Sequence, residues 1–352
     1  MSAFWSDSFS TTLNAALALI LLVLTGFLIG VRLPLHLAAR ALIHSGAIMA
    51  VASVLMWLLY PAYGAHQAGD ASQAVHAGAW RGVYLHKNHF GPLCAIYLSA
   101  VLLASRRVLP SQAYRWGLAA FLSFLIIQSW SASAIALVPL ALFLTWLVVV
   151  LNPAEKLLAG SAAALGGMAA VLSAGVLLAS LGRDATLTGR TEIWQTALTY
   201  IVREPLIGYG FGSGVYAGFV VEVGRLHGVH DAHNGYLDLL LGAGVIGLAL
   251  FLAAVVAAWI IARGVYSFGG SYGAGALVLA AVLDGFLIAG LTEANVRPLS
   301  AVAGLAFCAL GILLSAPRPK KISPTGSHAI RQERLAPRET ADGGTESTAV
   351  GA

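Results

Sequence analysis

The sequence predicts an all-α, polytopic integral membrane protein. Three observations carry that prediction. First, the 352-residue chain is 59% hydrophobic and only 10% charged, against about 25% charged in soluble domains; burying so much apolar surface calls for a bilayer as solvent. Second, the apolar residues fall in blocks comparable to the ~20 residues that cross the hydrocarbon as a helix. Third, the reactive side chains gather between those blocks, above all in residues 182–234.

Taken in order, the blocks give about nine transmembrane helices: 13–31, 41–60, 89–105, 114–129, 131–151, 157–181, 235–262, 274–291 and 299–316. The stretch 114–151 is too long for one span. Gln128-Ser129-Trp130-Ser131-Ala132-Ser133 marks a tight turn inside it; one long tilted helix is the alternative and would flip everything upstream. Arg32, Arg40, Arg106, Arg107, Arg115, Lys156, Arg263, Arg318, Lys320 and Lys321 then fall on one side, which the positive-inside rule makes cytoplasmic. The N-terminus is expected outside and the C-terminus inside. The domain plan is therefore a transmembrane domain over 1–316, with one large external loop at about 182–234, and a disordered cytoplasmic tail over 317–352, rich in Pro, Gly, Ser, Thr and charge.

The net charge of +5 is a matter of topology. Basic residues sit in short loops and the tail, with no basic stripe interleaved with aromatics, so nucleic acid is not an expected partner. Cys94 and Cys308 lie inside apolar blocks and imply no disulfide framework. No basic n-region precedes the first block, so no cleavable signal peptide is expected.

The external segments hold Arg81, Lys87, Arg183, Arg190, Arg203, Arg225 and Arg297, on the side that normally lacks basic residues. Several together point to an anionic ligand. Seven of the ten histidines are there too: His66, His76, His86, His89, His227, His230 and His233. Within the large loop, Ile193, Ala197, Tyr200 and Ile201 recur at helical spacing, which predicts an amphipathic helix over 190–203 ended by Pro205. The following Gly208, Gly210, Gly212 and Gly214 permit a close backbone approach to a ligand, in a spacing that fits neither a P-loop nor a dinucleotide fingerprint.

His233 stands at the membrane boundary. It reads either as a general base, with Asp231 or Asp238 orienting it, or as a histidine that only caps or hydrogen-bonds. Arg183 and Arg190 read either as a diphosphate clamp or as partners of Asp184 and Glu192 on a solvated face. His227, His230, Asp231 and His233 match a zinc site only loosely. Asp284 lies inside a span and Glu293 just beyond one; a loop arginine or Arg297 is the alternative to a functional role for them.

Several segments resemble the O-antigen ligase/polymerase superfamily. They are Gly189-Arg190-Thr191-Glu192-Ile193-Trp194, Pro205-Leu206-Ile207-Gly208-Tyr209-Gly210 and His233-Asn234-Gly235-Tyr236-Leu237. The family's histidine, ten residues and glycine map onto His233 and Gly244, and its arginine, three residues and leucine onto Arg183 and Leu187. His86-Lys87-Asn88-His89-Phe90-Gly91 resembles a segment seen especially in exopolysaccharide polymerases. The resemblance covers roughly 80–300. It implies a multi-pass glycosyltransferase of the bacterial inner membrane with a periplasmic active loop. Such enzymes move a glycan from an undecaprenyl-diphosphate carrier to an acceptor hydroxyl, with inversion and without a metal or other cofactor. His233 would match the general base, and Arg183 and Arg190 the groups that neutralise the leaving diphosphate. Lys87, Asn88, Glu192, Asn234 and Asp231, in or beside these segments, complete the expected substrate-binding set. The chain departs from many members in being shorter, with one or more N-terminal spans expected to be missing, and in lacking a basic residue at the Ser129–Ala132 break.

The expected partners are a polyprenyl-diphosphate-linked glycan donor, a glycan or lipid acceptor, membrane lipids and other glycan-assembly proteins. An exopolysaccharide-type polymerase is the first reading. A ligase acting on lipid A-core or on protein is its nearest rival. A transporter or flippase of lipid-linked sugars would predict paired polar groups at mid-membrane in several spans, and a non-catalytic scaffold would tolerate loss of His233.

Overall fold

The computed structural model describes residues 2–6, 8–152, 155, 190–212, 217–227, 229, 231–294 and 300–316. All belong to one compact unit, Met1–Arg318; the expected tail over 317–352 and the expected span over 157–181 lie outside the described residues. Ten helices organise it: α1 (Phe9–Arg32), α2 (Leu35–Leu59), α3 (Lys87–Leu103), α4 (Gln112–Gln128), α5 (Ala132–Thr145), α6 (Arg190–Arg203), α7 (Ala217–His227), α8 (Gly235–Ser267), α9 (Gly270–Ala289) and α10 (Ala301–Leu314). Among the described residues the β-type contact is an isolated bridge between Ala65 and Trp80.

Eight of the nine expected spans correspond to described helices, α1–α5 and α8–α10; the ninth, 157–181, lies outside the described residues. Five are long and apolar enough to cross a membrane: α1, α2, α5 with its wider-wound continuation to Val150, α8 and α9. α3 and α4, of 17 residues each, and α10, of 14, are shorter. The predicted turn after Gln128 forms, so α4 and α5 are separate helices.

α9 is the axis of the bundle. Its most apolar window is 78% buried, against 17–28% in the other four long helices. Apolar burial cannot hold helices together where lipid is equally apolar, so small residues let backbones meet instead. Gly26 and Gly30 of α1 face the α10 backbone at Cys308 and Ile312, and Gly311 of α10 faces Val23 and Phe27. Gly275 and Gly285 do the same for α9 against Leu35–His36 and Ile96. Inside the bundle Asp284 is fully buried; it accepts from Thr145 Oγ1 (2.6 Å) and Trp259 Nε1 (2.8 Å), which ties α5, α8 and α9.

The loops sort to two ends as the charge pattern predicts. Arg40 donates to the Val108 carbonyl, Arg115 to Val101 and Leu102, and Arg263 to Val149 and Leu151, and Gly275 near the start of α9 meets Leu35–His36, so the described basic loops share one end; Lys156 and residues 318–321 lie outside the described residues. At the other end lie the strap 61–86, the turn 129–131 and helices α6 and α7. Ile193, Ala197 and Ile201 of the predicted amphipathic helix α6 pack with Phe219, Val223, Ala232 and Leu241 in a small core of their own.

α8 has 33 residues, about 50 Å of helix, more than the roughly 30 Å of hydrocarbon. It breaks at Gly244 (φ 63°, ψ −169°). The carbonyls freed at Leu241 and Gly242 accept from Tyr209 and Gly210 N–H (2.8 and 2.9 Å), and the N–H groups of Val245 and Ile246 donate to Pro205 and Leu206 (2.8 and 3.1 Å). The glycines of 208–212 therefore meet protein rather than a ligand. Gly208 lies against the Leu241–Ala243 backbone, and Gly210 and Gly212 against Ser6 and Ala15.

Candidate functional site

The break in α8 turns its first nine residues across the top of the bundle, where they are pinned to the end of α9. Gly235 N–H donates to the Gly290 carbonyl (2.7 Å), Tyr236 Oη to Leu287 (2.7 Å) and Asn234 Nδ2 to Leu291 (3.3 Å). Asn234 also caps α8: its Oδ1 accepts from the N–H of Tyr236 and Leu237 (3.0 and 3.2 Å). Both ends of this expected substrate-binding side chain are thus engaged by backbone, the ordinary work of an N-cap asparagine.

The residues just before the cap form a tight turn. Trp194 Nε1 of α6 donates to the Ala232 carbonyl (2.9 Å), Asp238 Oδ1 accepts from Ala232 N–H (3.2 Å), and Asp231 Oδ1 accepts from His233 N–H (2.9 Å). His233 is held there at φ +47°, a left-handed conformation that costs a non-glycine residue energy. The ring turns back to the bundle. Its Nδ1 lies 3.4 Å from Asp231 Oδ1 and 3.9 Å from Glu293 Oε2. Of the two aspartates expected near His233, Asp231 flanks the imidazole and Asp238 shapes the turn.

Glu293 joins the site together. It is 3% exposed. Its Oε1 lies 3.4 Å from Arg190 Nη2, while Arg190 Nη1 donates to the Thr292 carbonyl (2.8 Å). The described ion pair of Arg190 is thus a tertiary one, with Glu293; Arg297, the other arginine weighed for this carboxylate, lies outside the described residues. The Glu293 carboxylate also acts electrostatically on Lys87, whose Nζ donates to the Trp130 carbonyl (3.1 Å). Glu293, followed by Asp231, raises the pKa of His233 above its ordinary value, against burial and the Arg190 charge.

Lys87 is positioned by histidines. His66 Nε2 accepts from Lys87 N–H (3.2 Å) and His86 Nδ1 from Asn88 N–H (3.1 Å), capping α3. The rings of His66, His76 and His86 lie 5.0–5.7 Å apart. Burial pushes His86 down to about 3 and lowers His66 and His76; neutral rings can accept those backbone hydrogen bonds. Asp70 sits 3.4 Å from His66 Nδ1 and 3.1 Å from Arg81 Nη1, closing the strap.

Of the expected site residues, Arg190 and His233 meet Glu293, Asp231 flanks His233, and Lys87 is in the electrostatic reach of Glu293. Glu192 lies exposed on the first turn of α6, and Asn88 half-buried on the first turn of α3. Arg183, Leu187 and His230 lie outside the described residues. Glu293 was legible only as a carboxylate just past a span. Its partner lies 103 residues away, a distance that no local pattern bridges.

Residues 117–252 match the family model described as O-antigen ligase. That segment includes Arg190, His233 and Gly244, and excludes Lys87 and Glu293. The chain is also 34% identical over 126 residues to the exopolysaccharide production protein ExoQ of Rhizobium meliloti (strain 1021), an alignment covering 32% of this chain and 29% of the relative. The match thus spans under a third of that relative's length. With an all-helical, multi-pass membrane architecture, these matches support an O-antigen ligase/polymerase-like family for this chain.

Proposed function

We propose that the protein transfers a glycan from an undecaprenyl-diphosphate-linked donor to an acceptor hydroxyl at the periplasmic face of the inner membrane, as an exopolysaccharide-type polymerase. One observation carries the reading: an imidazole flanked by two carboxylates shares its buried partner, Glu293, with Arg190. With Nδ1 turned to the carboxylates, Nε2 is the nitrogen for an incoming hydroxyl. It takes the acceptor proton while the acceptor oxygen bonds to the anomeric carbon. The bond from that carbon to the phosphate oxygen breaks, and the polyprenyl diphosphate leaves with its electron pair. Arg190, Lys87 and Arg183 supply positive charge where that anion develops.

The similarity to a protein named for exopolysaccharide production favours a lipid-linked glycan as acceptor over lipid A-core. The donor already carries an activated leaving group, so this scheme asks no metal of the protein. The test is deletion of the gene and complementation with His233→Ala, followed by analysis of surface and secreted glycans. Single lipid-linked repeat units should accumulate although the variant inserts normally. Full-length polymer from an inserted His233→Ala protein would remove the general base and the reading with it. Arg190→Lys keeps the charge but loses the planar fork, and should weaken donor use. Chelation should leave turnover intact; activity lost with EDTA and restored by zinc would replace this mechanism.

A further inference from the structure

Two described non-glycine residues have positive φ: His233 and Trp130. The first is in the site. The second, at φ +49°, lies in the turn between α4 and α5, at the same end of the bundle. A bulky side chain there is strained, and such strain persists only where the surroundings enforce it.

The turn itself does not need an indole. It is built from Ser129 Oγ to the Ile126 carbonyl (2.6 Å), Trp130 N–H to Ile127 (3.1 Å) and Ser131 N–H to Ser129 Oγ (3.3 Å). Gly91 of α3 packs closely under it against Ser129 and Ser131. Trp130 contributes only its backbone to this network, and glycine would adopt the same conformation without strain. The side chain is instead 58% exposed. Its rim rests beside Gly78 of the strap, where an added Cβ would meet Cη2 at 3.4 Å. Its carbonyl holds the Lys87 ammonium (3.1 Å), which lies in the field of Glu293. A strained turn thus carries an open aromatic face beside the cationic cluster.

We infer that Trp130 is a saccharide subsite, its indole face taking the C–H face of a pyranose ring while Lys87 and Arg190 hold the diphosphate. The inference rests on the function proposed above and names the contact that recognises the sugar. A pyranose has one face of axial hydrogens and a rim of hydroxyls. An exposed indole covers the first and leaves the second in water. The shared carbonyl contact fixes the spacing between platform and anion site. The pyranose belongs either to the donor or to the acceptor.

The test uses the full chain in nanodiscs and three probes: farnesyl diphosphate, farnesyl-diphospho-N-acetylglucosamine and free cellobiose. Wild type should bind the glycosylated lipid about fivefold tighter than the bare one. Trp130→Gly should lose that ratio with bare-lipid affinity unchanged, and Trp130→Phe should keep part of it. Because the glycine relieves the positive φ, its melting temperature should not fall. Loss in the glycosyl-lipid arm assigns the ring to the donor, and loss in the cellobiose arm to the acceptor. Loss in neither overturns the subsite. So does a fall in melting temperature or membrane insertion with all affinities reduced alike, the signature of an interfacial anchor. If wild type binds neither lipid and His233→Ala still polymerises, the proposed function fails first and takes the subsite with it. If the bare lipid binds and the sugar increment survives in Trp130→Gly, only the subsite fails.

Discussion

Gly244→Ala tests whether the break in α8 holds the site. At φ 63°, ψ −169° the backbone occupies a region nearly closed to L side chains, worth about 1–3 kcal/mol. The new Cβ would overlap the Leu206 carbonyl and Ile207 nitrogen. Segment 205–207 must then withdraw, and the bonds from Val245 to Pro205 and from Ile246 to Leu206 are lost, each about 1 kcal/mol net. The total is about 3–5 kcal/mol, or roughly 4–7 °C in melting temperature for a chain of this size. Gly264, in the spanning half of the same helix, has nothing within 4 Å of a built Cβ. Gly264→Ala should gain about 1 kcal/mol. The assay is thermal unfolding of the detergent-purified protein by size exclusion, with glycan transfer measured in parallel. Gly244→Ala melting no lower than Gly264→Ala, with transfer intact, would refute the reasoning.

Glu293→Gln removes the largest influence raising the pKa of His233. A general base works in its neutral form, so the acid limb of the pH–rate profile should move to lower pH; a limb that stays in place would clear Glu293 of that role. By the same linkage, charged His233 stabilises the fold below the ordinary imidazole value, and that stabilisation fades as pH rises through the raised value. Trp259→Phe takes one of two donors from the buried Asp284 carboxylate and should cost about 1–3 kcal/mol of thermal stability. Gly26→Leu should drive α1 from the α10 backbone, seen as loss of the folded monodisperse peak, whereas Gly117→Leu, with open space around it, should leave that peak unchanged.

Periodicity carried the parts of this fold that depend on neighbours in sequence. Hydropathy blocks located the long helices, Ile193, Ala197 and Ile201 located α6, and the polar run after Gln128 located the turn. The basic residues sorted the loops to two ends. The expected His233–Gly244 pair turned out to have a mechanical basis, because the glycine turns the first part of the helix that His233 precedes. What stayed hidden depends on contacts between distant segments. The glycines of 208–212 read as a ligand cradle, yet Gly208 meets the broken ladder of α8 and Gly210 and Gly212 meet Ser6 and Ala15, the freed backbone groups of α8 taking partners from the same segment. Asn234 was open to a local reading: an asparagine ahead of an apolar helix is first a cap. The choice of Arg190 as partner for Glu293, and the strained backbone of Trp130, leave no trace in spacing or composition.

A buried carboxylate is costly unless it is paired, and Glu293 has Arg190 against it and His233 close by, with Lys87 in its electrostatic reach. On the proposed reading it stands in for the donor when none is bound. A diphosphate brings more negative charge than one carboxylate and offers Arg190 a bidentate partner, so the guanidinium should shift its pairing toward the donor. The Glu293 carboxylate then acts on His233 with less opposition, and the diphosphate adds its own field. Both effects make His233 more basic with donor bound than without. The acid limb of kcat, which reports the loaded enzyme, should therefore lie at higher pH than the acid limb of kcat/KM, which reports the free enzyme. In Glu293→Gln the gap should narrow, because only the diphosphate field remains. Limbs that coincide in the wild type, or a kcat limb at the lower pH, would mean that Arg190 does not trade Glu293 for the donor.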